Sequence, residues 1–600
     1  MTASTRSVSS PRASIARGAP AVSDTLATRF EAAARGSGTI TFVDARENET
    51  KIAHAELFGR ALRAAGGLAA RGIVRGDRVA VIAATSPEFF DGFFGAVLAG
   101  AVPVPLYPPV RLGHLDEYHE RTSAMLAAAR VRLVLTDSRT RRVLGRTIER
   151  ARPELGCALL SEISGAPATP SSRDPDALGF IQFSSGTTQA PKAVALTHRQ
   201  ILANVDAIGA AILGAYPESD SFRHVAASWL PLYHDMGLVG GVFTSLFHGR
   251  DLVLIPPEHF IARPALWLRA ISRHRATISP APNFAYALCA ERIRDDEIAG
   301  IDLSAWRVAM NGAEPVTPRA LERFVERFGS VGLREEALTP VYGLAEATLA
   351  VTFSTLRERF RVLRFDAEAL AGKRRAILSP SGVPLVSLGP PLAGFGLQIA
   401  DDSGAPQAED VLGRVRVRGP SVMSGYDGLP EESARVLSGG WLDSGDLGFL
   451  HRGELFLYGR AKDLVIVRGK NYAPQDFERA LDDLAGVRPG CSAAVGVLAH
   501  DGSGEELWLF VERTHDAGAS DEELGTAIRV RTLERSGLRP GRVIVLAPGT
   551  LPRTSSGKIR RAETLRLERA GELTAPARVS LPRLALEMLR SLRAFARARS

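Results

Sequence analysis

From Asp24 onward, the apolar positions of the chain switch repeatedly between a spacing of three to four residues and short continuous runs. Leu57, Leu62 and Leu68 recur at helical spacing and predict a helix over residues 53–71, stopped by Gly72. Arg78-Val-Ala-Val-Ile-Ala83 is a short apolar run that predicts a strand. A helix over 87–99, a strand over 102–106, a helix over 123–129 and a strand over 131–136 follow. The alternation returns through 199–213, 251–255, 265–274 and 318–328. Helices interleaved with strands imply right-handed βαβ units, hence a largely parallel sheet with helices on its faces.

Around Gly413-Arg-Val-Arg-Val-Arg-Gly419 the period falls to two, which predicts a small β subdomain. Beyond residue 460, strands over 464–467, 493–497, 507–511 and 542–546 mix with helices over 474–484 and 521–536. The expected fold class is therefore α/β: a large N-terminal domain of layered sheets and helices with a small β subdomain, plus a mobile α+β C-terminal domain. The expected boundaries are a disordered tail over 1–22, the large domain over 23–459, the small domain over 460–570 and a terminal helix over 571–600. In that last segment Leu581, Leu584, Met588, Leu592 and Phe595 recur beside Arg583, Arg590, Arg593, Arg597 and Arg599. Such a basic amphipathic helix suits packing on its own domain or fraying in solvent first, and docking to a carrier protein or an anionic membrane second.

Six hundred residues exceed what one core usually holds, which agrees with several domains. The formal charge of +8 is spread over 74 basic and 66 acidic residues, without the basic and aromatic interleaving of nucleic-acid surfaces. Nucleic acid is not an expected partner; weak attraction to an acidic protein is compatible. Cys157, Cys289 and Cys491 are widely spaced with no Cys-x-x-Cys, so neither a zinc site nor a redox pair is expected, and a cytoplasmic location is. No run reaches the ~18–20 apolar residues of a transmembrane segment; residues 92–106, with Pro103 and Pro105, read as a buried helix running into a strand.

The segment Gln182-Phe-Ser-Ser-Gly-Thr-Thr-Gln-Ala-Pro-Lys-Ala-Val194 gathers hydroxyls, one glycine and one lysine after a β-prone stretch. Little bulk, N–H and O–H donors and a cation are what a phosphate cradle needs. The spacing matches neither the Walker loop nor the dinucleotide fingerprint, and Ser/Thr/Gly clusters also mark ordinary turns. Six further segments follow: Trp229-Leu-Pro-Leu-Tyr-His-Asp-Met-Gly-Leu238, Asn311-Gly-Ala-Glu-Pro315, Tyr342-Gly-Leu-Ala-Glu-Ala-Thr348, Ser444-Gly-Asp-Leu447, Gly459-Arg-Ala-Lys-Asp463 and Leu551-Pro-Arg-Thr-Ser-Ser-Gly-Lys-Ile-Arg560. In this order they resemble the adenylate-forming superfamily of acyl-CoA synthetases, luciferases and adenylation domains, and among these the fatty acyl-AMP ligases. The resemblance spans roughly residues 25–565.

It implies ATP and Mg²⁺ as cofactors and a fatty acid as substrate, activated to an acyl-adenylate with release of pyrophosphate. Ser184, Ser185, Gly186, Thr187, Thr188 and Lys192 would cradle the β- and γ-phosphates. Gln189 and Ala193 stand where glycines are frequent, which bears on rate more than on reaction class. Glu346 would hold the metal, Tyr342 and Gly343 would flank the adenine, and Asn311, Gly312, Ala313 and Glu314 would line the base. Ala345, where many members carry threonine, agrees with the fatty acyl-AMP ligases. Asp446 would accept from the ribose hydroxyls, assisted by Arg460, and Lys462 would be the hinge. Lys558 would neutralise charge developing between the carboxylate and the α-phosphate. His234 would position the carboxylate rather than act as a base, since a carboxylate needs no deprotonation at neutral pH. Met236, Gly237, Asn283 and Phe284, with Pro282 and Tyr286, would line the acyl channel, although apolar residues there serve equally as core.

Two features favour an acyl carrier protein, acting in trans, over coenzyme A as the acceptor. About 42 residues separate Glu346 from Gly389, a spacing that resembles the insertion of the fatty acyl-AMP ligases. The segment from Arg468 to Glu478 also resembles theirs. The alternatives are a medium- or long-chain acyl-CoA synthetase and, in another class, a non-catalytic homologue that binds nucleotide or a carrier.

Overall fold

The computed structural model describes residues 24–109, 115–170, 174–183, 191–467, 470–498, 505–515, 518–554, 557–575 and 581–599. The tail expected over 1–22 lies outside the described residues.

An eight-stranded sheet runs in the order Ala350–Phe353, Leu338–Gly343, Val308–Gly312, Ile278–Pro282, Val225–Ser228, Asp251–Leu254, Thr39–Val43, Glu49–Ala53. The six inner strands are parallel and both edge strands antiparallel. A second, all-parallel sheet joins Val102–Leu106, Arg78–Ile82, Val131–Thr136 and Cys157–Leu159. The expected βαβ layering is present, because continuous apolar strands need cover on both faces. Helices His54–Ala70 and Pro87–Leu98 supply it, and Phe89, Phe90, Phe93 and Phe94 interlock with Phe30, Phe180 and Phe243 in the largest core. A second core gathers Trp267, Trp306, Tyr286 and Phe324 edge to face.

The strand Leu178–Phe183 pairs antiparallel with Ala193–Thr197, and Gly425–Tyr426 adds to the same small sheet. Two expectations change. The helix expected over 123–129 spans Leu115–Ala128, since its polar first turns carry too few apolar residues to show a period. The helix expected over 474–484 stops at Arg479.

The period-two region is an antiparallel sheet of Gly396–Ala400, Gly413–Arg418, Trp441–His451, Glu454–Arg460 and Leu437–Ser438. Beyond it, Val487–Leu498, Glu505–Arg513 and Arg542–Leu546 form a sheet packed against Phe477, Leu481, Leu524 and Ile528.

The terminal helix Leu581–Arg599 packs on neither this unit nor solvent alone. It lies along the helix Ser138–Ala151 of the N-terminal half. Glu587 Oε1 sits 3.2 Å from His119 Nε2 and 3.4 Å from Arg146, and Gly145 N–H donates to Ser591 Oγ at 2.8 Å. The helices touch where residue 145 has no side chain: a Cβ there would stand 2.0 Å from the Ser591 carbonyl oxygen. Alanine for glycine in a helix ordinarily gains ~0.5–1 kcal/mol. In Gly145→Ala the contact reverses that sign, and the terminal helix should leave its seat. Limited proteolysis should cut beyond residue 575 at least tenfold faster, with little change in the thermal midpoint of the large body; unchanged protection would refute the packing.

Candidate active site

In open parallel sheets ligands bind beyond the carboxyl ends of the strands. Val308–Gly312 and Leu338–Gly343 are neighbours there, and the chain beyond each enters one large cleft of about 2640 Å³. Past Gly312, Ala313 turns with φ at 66° and Glu314 follows it onto the wall. Past Gly343, the short turn Ala345–Ala347 carries Glu346.

The hairpin of Trp441–His451 and Glu454–Arg460 sets Asp446 opposite Arg460. Arg460 Nε donates to Asp446 Oδ1 at 3.0 Å, and the Tyr342 hydroxyl donates to Oδ2 at 2.7 Å. Burial first, and the Asp446 charge second, push the Tyr342 phenol well up, so it stays a neutral donor. Each carboxylate oxygen thus has one donor and spare acceptor capacity, which suits a diol.

Lys192 stands just before the strand Ala193–Thr197. Its Nζ lies 2.8 Å from Glu432 Oε2 and 4.8 Å from the centre of the Tyr426 ring. The Tyr426 hydroxyl donates to Glu346 Oε1 at 3.0 Å. A lysine proposed for phosphate and a carboxylate proposed for metal are therefore joined through one tyrosine. Ser184, Ser185, Gly186, Thr187 and Thr188, with Gln189, lie outside the described residues.

Lys558 enters the same cleft from the C-terminal unit and is half-buried there. Burial most of all, then Arg460, pushes its ammonium down, while Asp235, Glu314 and Asp446 pull it back up. Its loop closes on itself: Thr554 N–H donates to the Lys558 carbonyl at 2.8 Å and Lys558 N–H to Thr554 Oγ1 at 3.1 Å. Arg560 Nη1, at 2.5 Å from Glu117 Oε1, ties that loop to Leu115–Ala128. Lys462, in the turn Ala461–Asp463, is likewise pushed down by burial and then by Arg460.

His234 is half-buried, and loss of hydration followed by Lys558 pushes its imidazole down to about 3, so it is neutral at physiological pH. Asp235 Oδ1 caps Met236 N–H at 2.8 Å at the start of the π-helical turn Met236–Phe243. Gly237 is obligatory there, because a Cβ would fall 2.3 Å from the Pro231 carbonyl oxygen. Met236, Gly237, Pro282, Asn283 and Phe284 line the cleft. Tyr286 does not: it is fully buried, packs on Trp267 and Phe324, and donates to the Met310 carbonyl at 2.9 Å.

Of the four residues expected around the base, Ala313 and Glu314 reach the wall. Asn311 is fully buried behind it and donates to Asn283 Oδ1 at 3.2 Å; the same oxygen accepts from Thr317 N–H at 3.1 Å. Glu314 Oε1 accepts from Phe284 N–H at 2.6 Å, and burial lifts its carboxyl against the pull of that bond and of Lys558. The sequence reading missed Tyr426, Glu432, Asp235 and Glu117 as members of this site. The partners of Tyr426, Glu432 and Glu117 are far away along the chain, so no local spacing announces them. Asp235 stood inside a quoted segment.

Among the described residues, no group of three or more His, Cys, Asp or Glu could hold a metal ion. A protein-built cage is thus absent among them. One carboxylate beside a phosphate site, as at Glu346, fits magnesium, which is usually bound by one or two carboxylates plus substrate phosphates.

The AMP-binding enzyme family matches residues 30–427. A long-chain-fatty-acid–AMP ligase of Mycobacterium tuberculosis is 33% identical over 565 residues, covering 89% of this chain and 94% of that protein. A medium-chain-fatty-acid–[acyl-carrier-protein] ligase of Moorena producens is 34% identical, covering 81% and 85%. A solved structure from work on the fatty acyl-adenylate ligases of E. coli and L. pneumophila superposes with a TM-score of 0.83 at 34% identity, covering 91% of this chain and 98% of that one. The chain belongs to the AMP-binding enzyme family as an adenylate-forming ligase, and within that family it is similar to the fatty acyl-AMP ligases.

Proposed function

We propose that the protein activates a fatty acid with ATP and passes the acyl group to the phosphopantetheine thiol of an acyl carrier protein in trans. The observation that carries this reading is the convergence of Lys558, Asp446, Arg460, Tyr342 and Glu346 on one cleft, with Lys192 joined to Glu346 through Tyr426. In the first step a carboxylate oxygen attacks the α-phosphorus, the bond to the β-phosphate oxygen breaks, and pyrophosphate leaves. Lys558, desolvated and held by its own loop, sits where it can stabilise charge developing between the carboxylate and the α-phosphate. Asp446 takes the ribose hydroxyls, and Lys192 exchanges Glu432 for phosphate oxygens. Glu346, oriented by Tyr426, would hold Mg²⁺, which would supply positive charge against the phosphates. Neutral His234 orients the carboxylate without competing for a proton. In the second step the carrier thiolate attacks the acyl carbonyl and AMP leaves.

The insertion between Glu346 and Gly389 supports the choice of acceptor. Its strands Val362–Phe365 and Val383–Val386 pair, and its helix Ala367–Lys373 packs on Lys470–Tyr472, with Lys470 salt-bridged to Glu368. It therefore touches the chain just beyond Lys462, where it would restrain a small domain (460–570) swinging on that hinge.

Lys558→Ala should lower acid-dependent ATP–pyrophosphate exchange by about 10²–10³-fold while thermal unfolding of the large body is unchanged; a smaller loss would remove Lys558 from the chemistry. Tyr426→Phe keeps the ring under Lys192 and deletes the bond to Glu346. Its exchange should need several-fold more Mg²⁺ for half-maximal rate, and an unchanged Mg²⁺ titration would refute the link. Because burial and Arg460 depress the Lys558 ammonium, exchange should decline at alkaline pH before an ordinary lysine deprotonates. Lys558→Arg, charged throughout, should retain a weaker activity whose alkaline limb is flat. With acid, ATP and either acceptor, the mass spectrum should show acyl-carrier thioester; acyl-CoA in its place would make the protein an acyl-CoA synthetase.

A further inference from the structure

The terminal helix Leu581–Arg599 carries more apolar surface than its seat uses. Glu587, Ser591 and Ala594 are buried against the body, and Phe595 packs beside them under Arg141. At 3.6 residues per turn, Leu589 points away from both Glu587 and Ser591, with Leu586 and Leu592 nearly one turn to either side. These three leucines are 48, 56 and 64% exposed. Scattered exposed leucines are ordinary, but three in a row along one helix face are a ridge, and the described residues leave this one uncovered.

The surroundings of the ridge are predominantly basic, although Arg590 also lies 3.5 Å from Glu587. Arg590 and Arg593 are exposed beside it, and Arg597 follows one turn on, paired at 3.0 Å with Glu149. The helix beneath, Ser138–Ala151, adds exposed Arg139, Arg142 and Arg150. Glu587, the sole acid between residues 584 and 598, is turned inward and engaged by His119 and Arg146. Apolar side chains that project outward with arginines at their flank are the pattern of a helix lying in a lipid interface. Here the opposite face is already fastened, so the ridge is presented without a folding cost. No described helix is long and apolar enough to cross a membrane, so the contact is peripheral.

We propose that this face docks on an anionic lipid surface, with Leu586, Leu589 and Leu592 inserted at the level of the headgroups and the arginines on lipid phosphates. A fatty acid dissolved in a bilayer would then lie next to the enzyme that consumes it. The inference does not depend on which acceptor takes the acyl group.

Flotation of the full-length protein with phosphatidylglycerol–phosphatidylcholine vesicles tests it, with pure phosphatidylcholine vesicles as the neutral arm. The wild type should float with the anionic vesicles, at least tenfold more than with the neutral ones, and 0.5 M salt should release much of it. Leu586→Ser, Leu589→Ser and Leu592→Ser combined should lose at least tenfold of the bound fraction. The three positions are exposed, so exchange with a short water-soluble acid should match the wild type. A wild type that does not float, or a triple variant that floats as well, overturns the proposal. So does a triple variant that floats normally but turns a wild-type dimer into a monomer or loses transfer to an acidic carrier protein; the ridge would then be a protein contact.

Discussion

A lysine ammonium drawn partly out of water is costly unless other charges hold it, and the active cleft is built around that constraint. Lys558 comes from a different part of the chain than Asp446, Glu314 and Asp235, whose carboxylates favour its charge, and than Arg460, which opposes it. Removing any one carboxylate would leave a poorly compensated cation in a low-dielectric site. The arrangement holds only while the small C-terminal unit is docked, and the Arg560–Glu117 pair at the rim helps to keep it so.

The same cleft shows how neutrality is distributed. His234 and Tyr342 are kept uncharged by burial, as a hydrogen-bonding wall around anionic substrates requires. Charge is concentrated instead on residues with partners: Lys192 on Glu432, Arg460 on Asp446. Tyr426 is central here because its ring faces the lysine and its hydroxyl holds Glu346.

Much of this was legible from residue order. Continuous apolar strands and helical spacings announced the parallel layers, since buried strands cannot hide their composition. Asp446, Arg460, Tyr342, Glu346 and Lys558 were named from local segments, and the structure brings them together. What failed was what depends on distant partners. Tyr426 becomes a site residue only because Gly425–Tyr426 pairs with 194–195 across a small sheet. Tyr286 sits near the channel in sequence but turns into the core, where Met310 satisfies its hydroxyl. The seat of the terminal helix was also unreadable, because an amphipathic period says that a face is covered and not by what.

That seat has a mechanical consequence. The C-terminal unit leaves the β hairpin at residue 460, and the chain that follows it returns to the large body at residue 581. It is thus leashed at both ends. Eleven peptide steps separate Ala570 from Leu581 and reach at most about 40 Å, so any rotation of the unit is bounded by that tether. A unit leashed at both ends has fewer places to go than one tied at a single end.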